Sequence, residues 1–123
     1  MTPAELRGLA DRNVADAASL GADAEHLRIQ AAALRGVLEP LIVLSRQVWM
    51  GPAATEFEQN TRRRGRVLDQ QADRLDRIAH ELVGRARRLR SEAAALRAQA
   101  SAAEAAAAGF SGGSPIGTQS GVI

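Results

Sequence analysis

Residues 48–57 read VWMGPAATEF, and this stretch decides the fold. Gly51-Pro52 stops any helix that reaches it. Glycine accepts the left-handed conformation that closes a helix, and proline, having no N–H to donate, is tolerated at the start of the next one. The chain has one tryptophan, two phenylalanines and no tyrosine, yet Trp49 and Phe57 bracket this break. A turn is predicted at about residues 51–52, with a helix on either side.

Working back from the turn, leucine recurs every seven residues at Leu41, Leu34, Leu27, Leu20 and Leu6, with Val48 and Asn13 completing the column. Ala10, Ala17, Ala24, Ala31, Leu38 and Ser45 form a second column offset by three and four, so the two make one apolar seam. Asn13 reads as a polar residue that specifies register. Thr2 as N-cap, Pro3 at the first helical position and Glu5 two residues on give a capping box. The first helix is therefore predicted over about residues 3–50, with a bend near Gly36, which lies outside the seam, as does Pro40.

Forward of the turn the pattern restarts. Leu68, Leu75, Leu82, Leu89 and Leu96 are flanked in their column by Thr61 and Ala103, and Gly65, Ala72, Ala79, Ala86, Ala93 and Ala100 interleave. A second helix is predicted over about 53–107. The columns mirror one another across the turn: Val48 with Thr61, Leu41 with Leu68, Leu34 with Leu75, Leu27 with Leu82, Leu20 with Leu89. That mirror predicts an all-α fold, an antiparallel helical hairpin in which the leucine layer of one helix faces the alanine layer of the other. The last stretch, GFSGGSPIGTQSGVI at 109–123, has five glycines, a proline and no periodicity, and is predicted to be disordered.

Composition agrees with long helices rather than a thick core. Only 2% of the 123 residues are aromatic, and alanine dominates an apolar fraction of 46%. All sixteen basic residues are arginine and the net charge is +2, so no polyanionic partner follows from charge alone. There is no cysteine, which excludes disulfides and thiolate chemistry. The N-terminus has acids where a signal peptide needs an apolar core, and the longest strongly apolar run, Leu41 to Leu44, is too short to span lipid.

Two helices alone bury one stripe each, which gives small stability. Beside the first seam lie Leu9, Val37, Ile42 and Leu44, and beside the second Phe57, Ile78 and Val83, so the apolar face is wider than a two-stranded contact needs. Val37, Ile42, Leu44, Val48, Ile78 and Val83 are the candidate interface for a partner hairpin, identical or related, which would complete a four-helix bundle.

A hairpin with Trp-x-Gly in its turn resembles the WxG (Esx-type) family of small type VII secretion substrates. Trp49, Gly51, Ala53 and Phe57 match that family's Trp-x-Gly-x-Ala-x-x-x-aromatic pattern, and the resemblance covers roughly residues 3–105. It implies a homo- or heterodimeric bundle exported folded by an ATPase-driven membrane apparatus, with the turn serving as part of a composite export signal. Localisation would then be cytoplasmic before export and secreted or cell-surface afterwards. The family's other signal element, Tyr-x-x-x-Asp/Glu after the second helix, is missing here, since the chain has no tyrosine. That departure favours a partner subunit whose mate supplies it. The arginine- and alanine-rich usage without lysine resembles that of high-GC actinobacteria.

Other motifs lead to plainer readings. TRRRGR at 61–66 is a solvated helix face or a dock for an acidic partner, because Glu56, Glu58 and Asp69 flank it and a nucleic-acid binder needs a broad basic face. RARRLR at 85–90 reads the same way. HELVG from His80 begins like a zinc-protease helix, but Gly84 stands where the second histidine ligand must be. His26 is solitary. No nucleophile-base-acid set or phosphate loop is visible, so no enzyme activity, cofactor or metal is expected. The alternative to a secretion partner is a cytoplasmic coiled-coil adaptor or chaperone, or, less favoured, a lipid- or nucleic-acid-binding bundle.

Overall fold

A computed structural model describes the backbone at residues 1–48 and 51–122, and side chains up to residue 109 except those of 45 and 48–50. The described residues are helical almost throughout. Helix α1 spans Pro3–Gly36, α2 Glu39–Val48 and α3 Pro52–Val122. The long α3 packs on the segment 3–44.

Helix α1 starts where the sequence predicts: the Glu5 N–H donates to Thr2 Oγ1 at 3.1 Å, and the Leu6 N–H to the Thr2 carbonyl at 3.0 Å. The first strand is not one helix over 3–50, however. It breaks at residues 37–38, next to the glycine where a bend is predicted. Pro40 explains the full break. Its nitrogen cannot donate to the Gly36 carbonyl four residues back, and its ring crowds that carbonyl. Placed instead in the first turn of α2, Pro40 loses no bond, and the Ile42 N–H donates to the Leu38 carbonyl at 3.1 Å.

Gly51 has φ of 94°, the left-handed conformation foreseen for it, and α3 begins on Pro52 with the Thr55 N–H donating to the Gly51 carbonyl at 3.2 Å. At the other end α3 extends to Val122, into the stretch for which the sequence predicts disorder. The alanine-rich residues 93–108 supply a fully nucleated helix, and extending it needs only propagation. Glycine and Pro115 make that extension the least favourable part of α3.

The chain divides into two compact units: unit 1, Met1–Ser19 with Arg85–Ile123, and unit 2, Leu20–Gly84. In unit 1 the buried residues are Leu6, Ala10, Ala17, Ala86, Ala93 and Ala100. Arg7 clasps Glu104 with two hydrogen bonds (2.8 and 3.2 Å), and Arg97 pairs with Asp11 at 3.0 Å. These pairs run antiparallel and bracket the level at which Ala10 comes opposite Ala100. Unit 2 buries Ala24, Ala31, Ile42, Thr61, Ala72 and Ala79. Arg35 reaches Asp73 and Asp76, both at 2.6 Å, again antiparallel, which puts Leu34 beside Leu75 as the mirror predicts.

The packing nevertheless differs from leucine facing alanine. The column alanines, Ala10 to Ala31 and Ala72 to Ala100 at seven-residue spacing, are almost wholly buried, at 0–2% exposure, whereas the seam leucines from Leu20 to Leu34 and Leu68 to Leu96 are only half-buried. Two small columns let the backbones close on each other, and the larger side chains are left on the shoulders of the contact. Near the turn the predicted pairing also changes. From Arg35 to Arg46 the first strand advances eleven residues, while the partner on α3 moves from Asp73 and Asp76 to Glu58, fifteen or more positions back. The break at 37–38 shifts the register. Leu41, placed in the seam by sequence, is 48% exposed, and Ile42 takes the buried position at 3%.

Candidate partner interface

Unit 2 has two unlike flanks, and helical phase assigns residues to each. On α3, Thr61 faces α2 and is buried, its hydroxyl donating to the Phe57 carbonyl at 2.8 Å. To one side of Thr61 project Glu58, Arg62, Asp69, Asp73 and Asp76. To the other project Arg64, Val67 and Leu68. On α2, Glu39 and Arg46 face the first side, and Leu41 and Leu44 the second.

The polar flank is closed by ion pairs. Besides Arg35 with Asp73 and Asp76, Arg46 and Arg62 both bind Glu58, the latter at 3.1 Å. Hydrogen bonds from Arg46 first, then Arg62, hold the Glu58 carboxyl below its ordinary pKa, and the same bonds raise that of Arg46. Each pair is solvent-exposed and contributes little alone. Together they place three arginines and three carboxylates in pairs along the flank, beside Val43, which is 45% exposed. A cleft there sets Arg35, Glu39, Arg62, Arg66 and Asp69 around a floor of Leu34, Leu38, Ile42, Thr61 and Gly65.

The opposite flank is apolar and open. Leu38, Arg64, Val67 and Leu68 line a shallow hollow along it. Val37, Leu41 and Leu44, spaced four and three apart, continue the stripe at 50%, 48% and 55% exposure, and Val67 is 53% exposed. Leu38 closes on α3 where there is no side chain to meet: a Cβ at Gly65 would lie 3.6 Å from its Cδ1. Contiguous apolar surface of this kind on a helix pair marks an interaction site.

Of the residues singled out from sequence, Val37, Leu44 and Ile78 are exposed and Val83 is half-buried. Ile42 corrects the expectation. It is buried inside the chain by the register shift and is not available to a partner. Gly51 supplies the turn conformation, Ala53 is exposed, and Phe57 is 37% exposed. Trp49 and the side chain of Val48 lie outside the described residues. Sequence reasoning missed Leu41, because it filled the heptad column, and missed Val67 and Arg64. The signal for Leu41 was Pro40, which restarts the helical phase and sets Leu41 and Leu44 on one side of α2.

Among the described residues no cluster of three or more His, Cys, Asp or Glu could hold a metal ion, and no helix is long and apolar enough to cross a membrane. His26 Nε2 lies 3.2 Å from Gln30 Nε2, one turn along α1. Compared with protein-family models, with curated proteins and with solved structures, the chain matches none.

Proposed function

We propose that the chain is a non-enzymatic helical hairpin that pairs with a second hairpin, its own copy or a related small protein, into a four-helix bundle, and that it serves a type VII secretion system as a WxG-type substrate or partner. The observation that carries this reading is the exposed aliphatic surface of unit 2: Leu41, Leu44 and Val67 stand uncovered on the flank away from the ion pairs. A helix pair with one greasy side gains by covering it, and a second pair of helices is the shape that fits. The positive φ of Gly51, between antiparallel α2 and α3, supports a Trp-x-Gly turn. The missing tyrosine favours the role of a subunit carried by its mate.

Two measurements test the proposal. Sedimentation should show a complex between this chain and the product of the neighbouring small open reading frame, or a dimer of the chain itself. Leu44→Asp should weaken that complex by about tenfold or more while shifting stability by no more than about 0.5 kcal/mol, since Leu44 is exposed. A monomer under both conditions defeats the bundle. Comparison of culture filtrate with lysate, with and without the secretion ATPase, tests export. Strict retention in the lysate would leave the cytoplasmic adaptor instead.

A further inference from the structure

We infer that α2 is a hinged flap, which lifts from α3 as a unit between the break at 37–38 and the turn at Gly51 while the alanine-packed remainder of unit 2 stays folded. The flap works within a single chain and does not depend on the bundle reading.

Three features of unit 2 point to it. The first is how little α2 buries. Of its eight described side chains Ile42 alone is buried, and the other seven are exposed, Leu41, Val43 and Leu44 among them at 48%, 45% and 55%. The α1 strand of the same unit instead buries an alanine every seven residues, at Ala24 and Ala31, each followed by a half-buried leucine, Leu27 and Leu34. One isoleucine is a slight hold for a helix of 10 residues.

The second feature is separation. Pro40 stops the hydrogen-bond ladder of α1 from running into α2, and Gly51 with Pro52 starts α3 afresh. Lifting α2 therefore leaves the ladders of both neighbours whole. The third is the space at its root. Leu38 stands at the break, over Gly65, and lines both the cleft on the polar flank and the hollow on the apolar one. The cleft alone has a volume of about 390 Å³. Elsewhere in the unit alanine columns bring the backbones together, but beneath α2 the contact is narrow.

The polar tie is also one that lets go readily. Arg46 Nε donates to Glu58 Oε1 at 3.1 Å, and Arg62 holds the same carboxylate from within α3. When α2 lifts, Glu58 keeps Arg62, so no carboxylate is stranded. Ile42, closed off in this conformation, then becomes accessible beside Leu41 and Leu44, and Thr61 of α3 is uncovered. Opening short of global unfolding is what few buried contacts produce.

The chain has no cysteine, so spin labels can be placed at will in the full protein. Gln47→Cys on α2 with Gln70→Cys on α3 reads the flap, and Ala32→Cys on α1 with Gln70→Cys is the control; all three residues are exposed. Ile42→Ala should raise the ratio of lifted to closed distances for the first pair about tenfold or more, and Arg46→Gln about twofold, with the control distance unchanged. Hydrogen exchange of the unsubstituted chain should run about 100-fold faster in α2 than around Ala24, Ala31 and Ala72. Fast exchange with one fixed distance between positions 47 and 70 in every variant would mean fraying in place and would overturn the inference. So would α2 amides that exchange as slowly as the alanine columns. An Ile42→Ala chain in which both label pairs spread together would overturn it too, because unit 2 would then open whole. None of these outcomes decides whether a second hairpin docks, which sedimentation reads separately.

Discussion

The two units share one construction and differ in finish. Both are antiparallel contacts built on buried alanine and latched by arginine-carboxylate pairs, Arg7 with Glu104 in unit 1 and Arg35 with Asp73 and Asp76 in unit 2. Among the described residues of unit 1, Met1 is the one large apolar side chain left exposed, whereas unit 2 exposes Ile29, Val37, Leu41, Val43, Leu44, Phe57, Val67 and Ile78. The difference teaches that the seven-residue ladder builds each unit, while residues outside the ladder decide what it does. Unit 2 also holds the break at 37–38 and the Gly51 turn, the two places where the repeat is interrupted.

The hardest blow to the shared construction is a leucine in the alanine ladder. Ala17→Leu in unit 1 and Ala31→Leu in unit 2 replace residues with 0% exposure, and each should cost about 1–3 kcal/mol by forcing the backbones apart. Urea unfolding measures this. Similar losses at the two sites would support a common packing mode; a loss at one alone would show that the ladders differ.

A smaller effect separates the units at the turn. Gly51→Ala places a Cβ at φ of 94° and should destabilise the protein by about 1–2 kcal/mol, although among the described residues beyond its chain neighbours no atom lies within 4 Å of that Cβ. Hydrogen exchange should then report faster opening around α2 and the start of α3 than around Arg7 and Glu104.

The smallest effect is electrostatic. Glu58 and Glu104 both titrate below the ordinary glutamate value, because Arg46 and Arg7 respectively donate hydrogen bonds to them. Groups depressed on folding stabilise above their unfolded pKa, and that contribution is lost as pH falls through the folded one. Thermal stability should therefore decline on the acid side of the normal glutamate range. The decline should shrink in Glu58→Gln for unit 2 and in Glu104→Gln for unit 1, and both changes will be small because the pairs face solvent. No dependence on either residue would show that the latches do not contribute.

Much of this architecture was legible in the sequence because periodicity is a direct image of burial. The alanine columns, the Thr2 cap and the Gly51 turn were readable from local rules. What escaped was the consequence of Pro40. A heptad count carries on through a proline, whereas the backbone restarts, and one restart moved Ile42 inward and Leu41 outward.

The alanine spine has a final consequence. A buried methyl group contributes roughly 0.8 kcal/mol, against about 1.5–3 for a buried leucine, so a slender interior retains only a thin margin against thermal opening. In the proposed bundle, a copy clasped by its mate would persist, whereas a solitary one would open more often and be trimmed by cellular proteases. Matching the abundance of the two would then need no dedicated regulator, because any surplus would be short-lived.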